Sequence, residues 1–126
     1  EEIYLLSQEA SPHYIFQSSR QCYADVFPLT CEVISQIAKH IGVMRAAVSV
    51  VFPPKTHIPI HASSSQGRFR LHCPLYVPLK ATSLLTVGKK VRHFRESECW
   101  WFDESMEHSL DYAHPSQPRV SLYLDS

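Results

Sequence analysis

Residues 61–72 read H-A-S-S-S-Q-G-R-F-R-L-H. A histidine closes one extended segment, a polar turn from Ser63 to Gly67 follows, and a second extended segment opens. From Arg68 to Val77 that second segment alternates, with Phe69, Leu71, Cys73 and Leu75 on one side and Arg68, Arg70, His72 and Tyr76 roughly on the other. Arg70 and His72 therefore share one face of one strand. Pro78 ends the run. Upstream, Ile58-Pro59-Ile60-His61 is extended, because the residue before a proline is pushed toward β.

Outward from this stretch the texture stays β-like. Val43 to Phe52 is rich in valine and alanine and reads as a buried strand, broken by Pro53-Pro54. Ser83–Val87 and Lys90–Phe94 bracket Gly88 as a hairpin. Glu98 to Asp103 carries Trp100, Trp101 and Phe102, and Ser109–Tyr112 and Val120–Leu124 read as the last two strands. Short strands at this spacing imply a sandwich or barrel. One helix is expected over about residues 30–41, with Thr30 as N-cap, Val33, Ile34, Ile37, Ala38 and Ile41 at helical spacing, and Gly42 as the C′ stop. Before it, Ile3–Leu6 and Tyr14–Phe16 are short extended runs, and Gln17 to Asp25 is irregular.

The chain of 126 residues reads as a single domain, residues 1–126, with an N-terminal region over 1–42 and a β core over 43–126. Twelve basic and twelve acidic residues give formal net charge zero, which removes the usual electrostatic reason to expect nucleic acid or an anionic membrane as partner. No apolar run is long enough to span a membrane, and no signal-peptide pattern opens the chain. It begins at Glu1, as a processed or excised domain would, and a cytoplasmic setting is the preferred reading. The four cysteines, Cys22, Cys31, Cys73 and Cys99, form no C-x-x-C pair, which argues against a cysteine zinc site. Free, buried thiols are expected rather than a Cys22–Cys31 disulfide.

A second polar stretch, F-D-E-S-M-E-H-S-L-D-Y-A-H-P-S-Q-P-R, runs from Phe102 to Arg119. His61 and His108 both stand at strand ends, and two such histidines converge only if their strands are neighbours, as a jelly roll allows. A non-haem iron site uses two histidines and a carboxylate on one face. The carboxylate position, two residues after the first histidine, is held here by Ser63. Arg119 opens the last strand, and an inward arginine in a sandwich core needs an anion, for which a dicarboxylate end is well shaped. Taken singly, each histidine reads more simply as a hydrogen-bonding residue, Arg119 as a surface ion pair, Trp100 and Trp101 as packing, and Asp103, Glu104 and Glu107 as a polar turn.

At these residues the sequence resembles the aspartyl/asparaginyl β-hydroxylase family. The resemblance is carried by H-A-S-S-S-Q-G-R-F-R-L-H-C-P-L-Y-V-P (61–78), F-D-E-S-M-E-H (102–108) and P-R-V-S-L-Y-L-D (118–125), and covers roughly Val48 to Ser126. It implies a mainly β fold, a double-stranded β-helix (jelly roll) with the N-terminal helix packed outside. It implies a dioxygenase that uses Fe(II) and 2-oxoglutarate to hydroxylate an unactivated C–H of a small molecule or of an Asp/Asn-like residue in a peptide. His61 and His108 then fall on the catalytic iron ligands; Arg70, His72 and Arg119, with Ser49 on an earlier strand, fall on the 2-oxoglutarate anchors. The family lacks the carboxylate ligand, so Ser63 fits it. The chain departs from the family's commoner T-G-x-x-N after the first histidine, and Ser97 stands near a position where glycine is common. The alternatives are a zinc or cupin-like enzyme, with His57, His114 or Asp103 as third ligand, and a non-catalytic jelly-roll module that binds a dicarboxylate.

Overall fold

The computed structural model describes residues 2–4, 14–17, 22, 24–43, 45–63 and 67–126. Leu5 and Leu6, residues 18–21 and 23 of the irregular stretch, and residues 64–66 of the polar turn lie outside these. Among the described residues ten strands and one helix follow in chain order: β1 (Glu2–Tyr4), β2 (Tyr14–Gln17), α1 (Pro28–Ala38), β3 (Arg45–Val51), β4 (Lys55–His61), β5 (Phe69–Tyr76), β6 (Thr82–Val87), β7 (Lys90–His93), β8 (Trp100–Asp103), β9 (His108–Ala113) and β10 (Arg119–Asp125). They form a six-stranded sheet, β1-β3-β10-β5-β8 with β2 also on β3, and a four-stranded sheet, β4-β9-β6-β7. Every pairing is antiparallel. The strands from β3 onward are shared out 3-10-5-8 and 4-9-6-7 between two sheets, which is the jelly-roll arrangement. β1 and β2 divide the free edge of β3 between them: β1 covers Ser49 to Val51, and β2 covers Arg45 to Ala47.

The six-stranded sheet is buried on both faces. On β3 and β10, Ala46, Val48, Val50, Val120, Leu122 and Leu124 face α1 and pack with Cys31 and Ile34. The alternate residues face the second sheet, where Val51 joins Leu85, Phe94, Trp100, Leu110 and Tyr112. The helix is thus an outer layer, as expected. It begins two residues earlier than Thr30, because Pro28 at its first position is pre-set for helical φ; Phe27 is the N-cap and makes no side-chain cap. It unwinds after Ala38 through Lys39, His40 and Ile41, whose amides reach Gln36 and Ile37 carbonyls. Gly42 is not the left-handed stop; the positive-φ glycines among the described residues are Gly67 and Gly88, and Gly88 turns the β6–β7 hairpin.

The cysteine expectation is overturned. Cys22 is bonded to Cys31, tying the segment before α1 to its first turns, and Cys73 is bonded to Cys99. The second bridge follows from register: His72 is paired with Trp100, so Cys73 and Cys99 come opposite each other across β5 and β8, Cα atoms 4.3 Å apart. Spacing in the chain carries no trace of such a pairing.

Ser97, in the bend before β8, adopts φ +65°, and its N–H donates to the Pro74 carbonyl at 3.1 Å. A left-handed conformation costs a residue with a Cβ about 1 kcal/mol or more, and glycine almost nothing. Ser97→Gly is therefore expected to raise the melting temperature by a few degrees. A melting temperature that falls would show that the loss of serine outweighs relief of the backbone.

Candidate active site

β4 and β9 are neighbours, and His61 and His108 are Cα partners. Their ring centroids lie 4.2 Å apart. The ladder shifts by one residue between Ile58 and His61. Thr56 and Ile58 point toward the other sheet, so strict alternation would turn His61 outward. The irregularity at Pro59, which has no N–H for a ladder, reverses that parity and brings His61 onto the face of His108. Each ring is then fixed in the same way. His61 Nδ1 donates to the Pro59 carbonyl at 2.8 Å, and His108 Nδ1 donates to the Met106 carbonyl at 2.8 Å. A carbonyl only accepts, so the proton sits on Nδ1 and Nε2 keeps its lone pair in both rings. Burial holds the His108 pKa below the ordinary 6.5, reinforced by His61 and Arg70 against the Met106 bond, which favours the neutral, ligating form.

Among the described residues no group of three or more His, Cys, Asp or Glu converges. The third ligands that a zinc reading would need are engaged elsewhere: His57 Nδ1 meets Asp111 at 2.6 Å, the His114 ring accepts the Ser116 and Gln117 amides, and Asp103 takes the amide and hydroxyl of Ser105. Ser63 donates its amide to the Glu104 carbonyl at 2.8 Å, and Glu104 donates its own to the Arg68 carbonyl at 3.0 Å. The turn after β8 thus clamps the loop after His61 to the start of β5.

Arg70 and His72 line the same small pocket as His61 and His108, a cavity of about 70 Å³ also walled by Phe102 and Tyr123. Arg70 is already paired inside the protein. Its Nε and NH2 donate to Asp125 at 2.7 and 3.0 Å, NH2 meets Glu104 at 2.8 Å, and its guanidinium lies 3.9 Å over the Tyr123 ring. Burial works against the charge, but the Asp125 bond outweighs it and the Arg70 pKa is raised. Asp125, fully buried, also takes Arg45 at 2.9 Å. His72 stacks between Phe94 and Trp100, with centroids at 4.8 and 5.6 Å. Burial, then Arg119 and Arg70, hold its pKa well below 6.5, and its buried Nε2 makes no hydrogen bond among the described residues.

Arg119 and Ser49 do not line that pocket. Arg119 is fully buried one layer behind, 4.0 Å over the Phe94 ring, with NH1 donating to the Ser83 hydroxyl at 3.3 Å. Ser49 is the Cα partner of Ser121 on β10, and both are buried. Three hydroxyls and a guanidinium are therefore buried between the sheets, and the Ser121 hydroxyl has no hydrogen-bond partner among the described residues. Sequence reasoning missed Ser83, Ser121, Tyr123, Asp125 and the buried role of Glu104. Alternation along R-V-S-L-Y-L-D carries a signal for three of them, since Ser121, Tyr123 and Asp125 share the face of Arg119.

These features define a jelly-roll protein with two rigidly held histidines at the mouth of a polar-lined interior. Residues 4–126 match the family described as Aspartyl/Asparaginyl beta-hydroxylase, and the chain belongs to that family. It is 32% identical over 83 residues to the ornithine lipid ester-linked acyl 2-hydroxylase of Rhizobium tropici, covering 65% of this chain and 29% of that protein. It is 26% identical over 84 residues to the aspartyl/asparaginyl beta-hydroxylase of Mus musculus, covering 66% of this chain and 11% of that protein. The matched part is therefore less than a third of either relative's length.

Two outcomes test the electrostatics of the site. Asp125→Ala leaves Arg70 and Arg45 without their shared buried partner and is expected to cost about 3–5 kcal/mol in urea unfolding. A loss under about 1 kcal/mol would show the pair to be structurally idle. His72 has a depressed folded-state pKa, so below pH 6.5 the unfolded chain takes up a proton that the folded chain refuses. Stability should therefore fall as the pH drops from 6.5 toward 5, and His72→Gln should flatten that slope by up to about 1.4 kcal/mol per pH unit.

Proposed function

We propose that this chain is the catalytic domain of an Fe(II)- and 2-oxoglutarate-dependent hydroxylase that acts on an unactivated C–H. The observation that carries the reading is the pair His61 and His108, in register on one face, each with Nδ1 spent on a carbonyl and Nε2 left to ligate. Fe(II) would be held by those two nitrogens. The residues also fit a dicarboxylate: His72 Nε2 and the Ser121 hydroxyl are buried polar atoms without hydrogen-bond partners among the described residues, and Arg119 is buried beside Ser83. Bound together there, iron and 2-oxoglutarate would supply the oxidising power, with oxygen converting 2-oxoglutarate to succinate and carbon dioxide as one oxygen atom enters the substrate C–H.

The protein's own part is ligation, orientation and exclusion of water. The Pro59 and Met106 carbonyls fix the two imidazoles. Arg119, with Ser49 and Ser121, neutralises the distal carboxylate in the interior, and Arg70 and His72 border the end nearest the histidines. Phe102, 5.3 Å from the His108 ring, forms one wall of the site. The substrate is an acyl or other small-molecule chain, or an Asp/Asn-like residue, the two kinds of target carried by the names of the relatives.

The test is succinate formed from 2-oxoglutarate by the purified protein, with and without Fe(II), in air and under argon. Succinate should require both iron and oxygen and fall at least about 100-fold in His108→Ala, which removes a ligand outright. Arg119→Ala should raise the 2-oxoglutarate concentration needed by roughly 30-fold or more, the loss expected when a buried charge partner is removed. Unchanged 2-oxoglutarate affinity in Arg119→Ala would remove it as anchor. Failure of the Fe(II) protein to bind 2-oxoglutarate anaerobically would overturn the reading in favour of a metal site without co-substrate.

A further inference from the structure

Beside the histidine pocket lies a larger cleft that the proposed chemistry does not use. β7 is the edge of the four-stranded sheet and β8 the edge of the six-stranded sheet. Where these edges face each other the sandwich is open, and the seam holds a cavity of about 390 Å³. That volume lies in the range of small-molecule sites. Val87, Trp100, Trp101, Phe102 and Met106 supply an apolar wall; Lys89, Lys90 and Arg92 supply the other side.

The placement of those cations is unusual for a sandwich strand. Lys90 is the cross-strand partner of Val87, and Arg92 of Leu85, so both stand on the face that β6 turns toward the core. Val91, between them, points outward and is 55% exposed. All of β7 is exposed, but the two cations stand on the seam side of the strand and the valine on the other. Inward charge also protects an edge strand from pairing with other chains, but edge protection needs no aromatic-lined cavity next to it. Among the described residues none of the three cations pairs with a carboxylate, and the one carboxylate of the lining, Asp103, is taken by Ser105. A chain of zero net charge thus gathers three unneutralised cations beside an apolar slot.

We propose that the β7–β8 seam binds a single anionic amphiphile, its carboxylate at Lys89, Lys90 and Arg92 and its apolar chain along Trp100, Trp101 and Met106. Phe102 walls both this seam and the histidine pocket, so the bound chain lies against the ring that touches His108. As a binding site the seam stands by itself; as the substrate site it rests on the hydroxylase reading above.

The chain's two tryptophans both line the seam, so intrinsic fluorescence reports on it directly. Metal-free protein is titrated with dodecanoate, dodecylammonium and acetate, below micelle-forming concentrations. Dodecanoate should give a saturable change with a midpoint at least tenfold below that of dodecylammonium, and acetate should give none over the same range. The exposed triple variant K89E/K90E/R92E should invert that preference. Equal response to both amphiphiles, an equal response to acetate, or an unaltered triple variant would each overturn the site. The same protein loaded with Fe(II) and 2-oxoglutarate then separates the two readings. Dodecanoate that binds in the seam without succinate formation supports the amphiphile site and counts against the hydroxylase. Iron-dependent succinate with no dodecanoate binding does the reverse.

Discussion

The buried carboxylate of Asp125 is the constraint around which the interior is arranged. A jelly roll ordinarily fills the space between its sheets with apolar side chains, whereas here β10 turns Arg119, Ser121, Tyr123 and Asp125 inward. Burying such groups costs several kcal/mol each unless they are paired. Asp125 meets that requirement by holding Arg70 from β5 and Arg45 from β3 at once, so three neighbouring strands share one charge cluster. Glu104 adds the turn after β8 through Arg70. The polar interior is thereby part of the fold.

The same cluster divides the labour between two arginines that look equivalent in sequence. Both stand on inner faces and both raise the same demand for an anion. Arg70 meets Asp125 and Glu104 within the protein, whereas Arg119 lies over Phe94 and donates from NH1 to the Ser83 hydroxyl. Arg70 thus borders the histidine pocket, and Arg119 ties β10 to β6 through Ser83. The sequence motif, which sets both beside histidines and alternating strands, does not separate these roles.

What could be read in advance follows from which features are local. Alternation in β5 and β10, the Gly88 hairpin and the apolar run of β3 depend on near neighbours, and they led to a sandwich or barrel; the jelly roll with its helix outside came from the family resemblance. The convergence of His61 and His108 was legible because motif spacing put both at strand ends. Its means was not: the one-residue shift at Pro59 is set by pairing with β9, and strict alternation would have pointed His61 the wrong way. The Cys73–Cys99 bridge and the Arg70–Asp125 pair depend on registers between strands 26 and 55 residues apart, which no window in the sequence contains. The helix start failed for a smaller reason, since Thr30 competes as a cap with a proline two residues earlier that needs none.

Among the described residues no carboxylate joins the two histidines, and this has a physical account. Glu104 lies near the mouth, since its backbone carbonyl holds the amide of Ser63, two residues after His61. Its side chain is committed to Arg70 at 2.8 Å. Releasing it toward the histidines would strip a buried guanidinium of one of its two anions, a penalty of several kcal/mol by the usual cost of breaking a buried pair. Asp103, on the same turn, is bound by its own Ser105. Neither acid of this turn is therefore free to turn toward the two imidazoles. Each of the two rings is instead held by its own Nδ1, bonded to a carbonyl two residues back, so their orientation needs no third side chain.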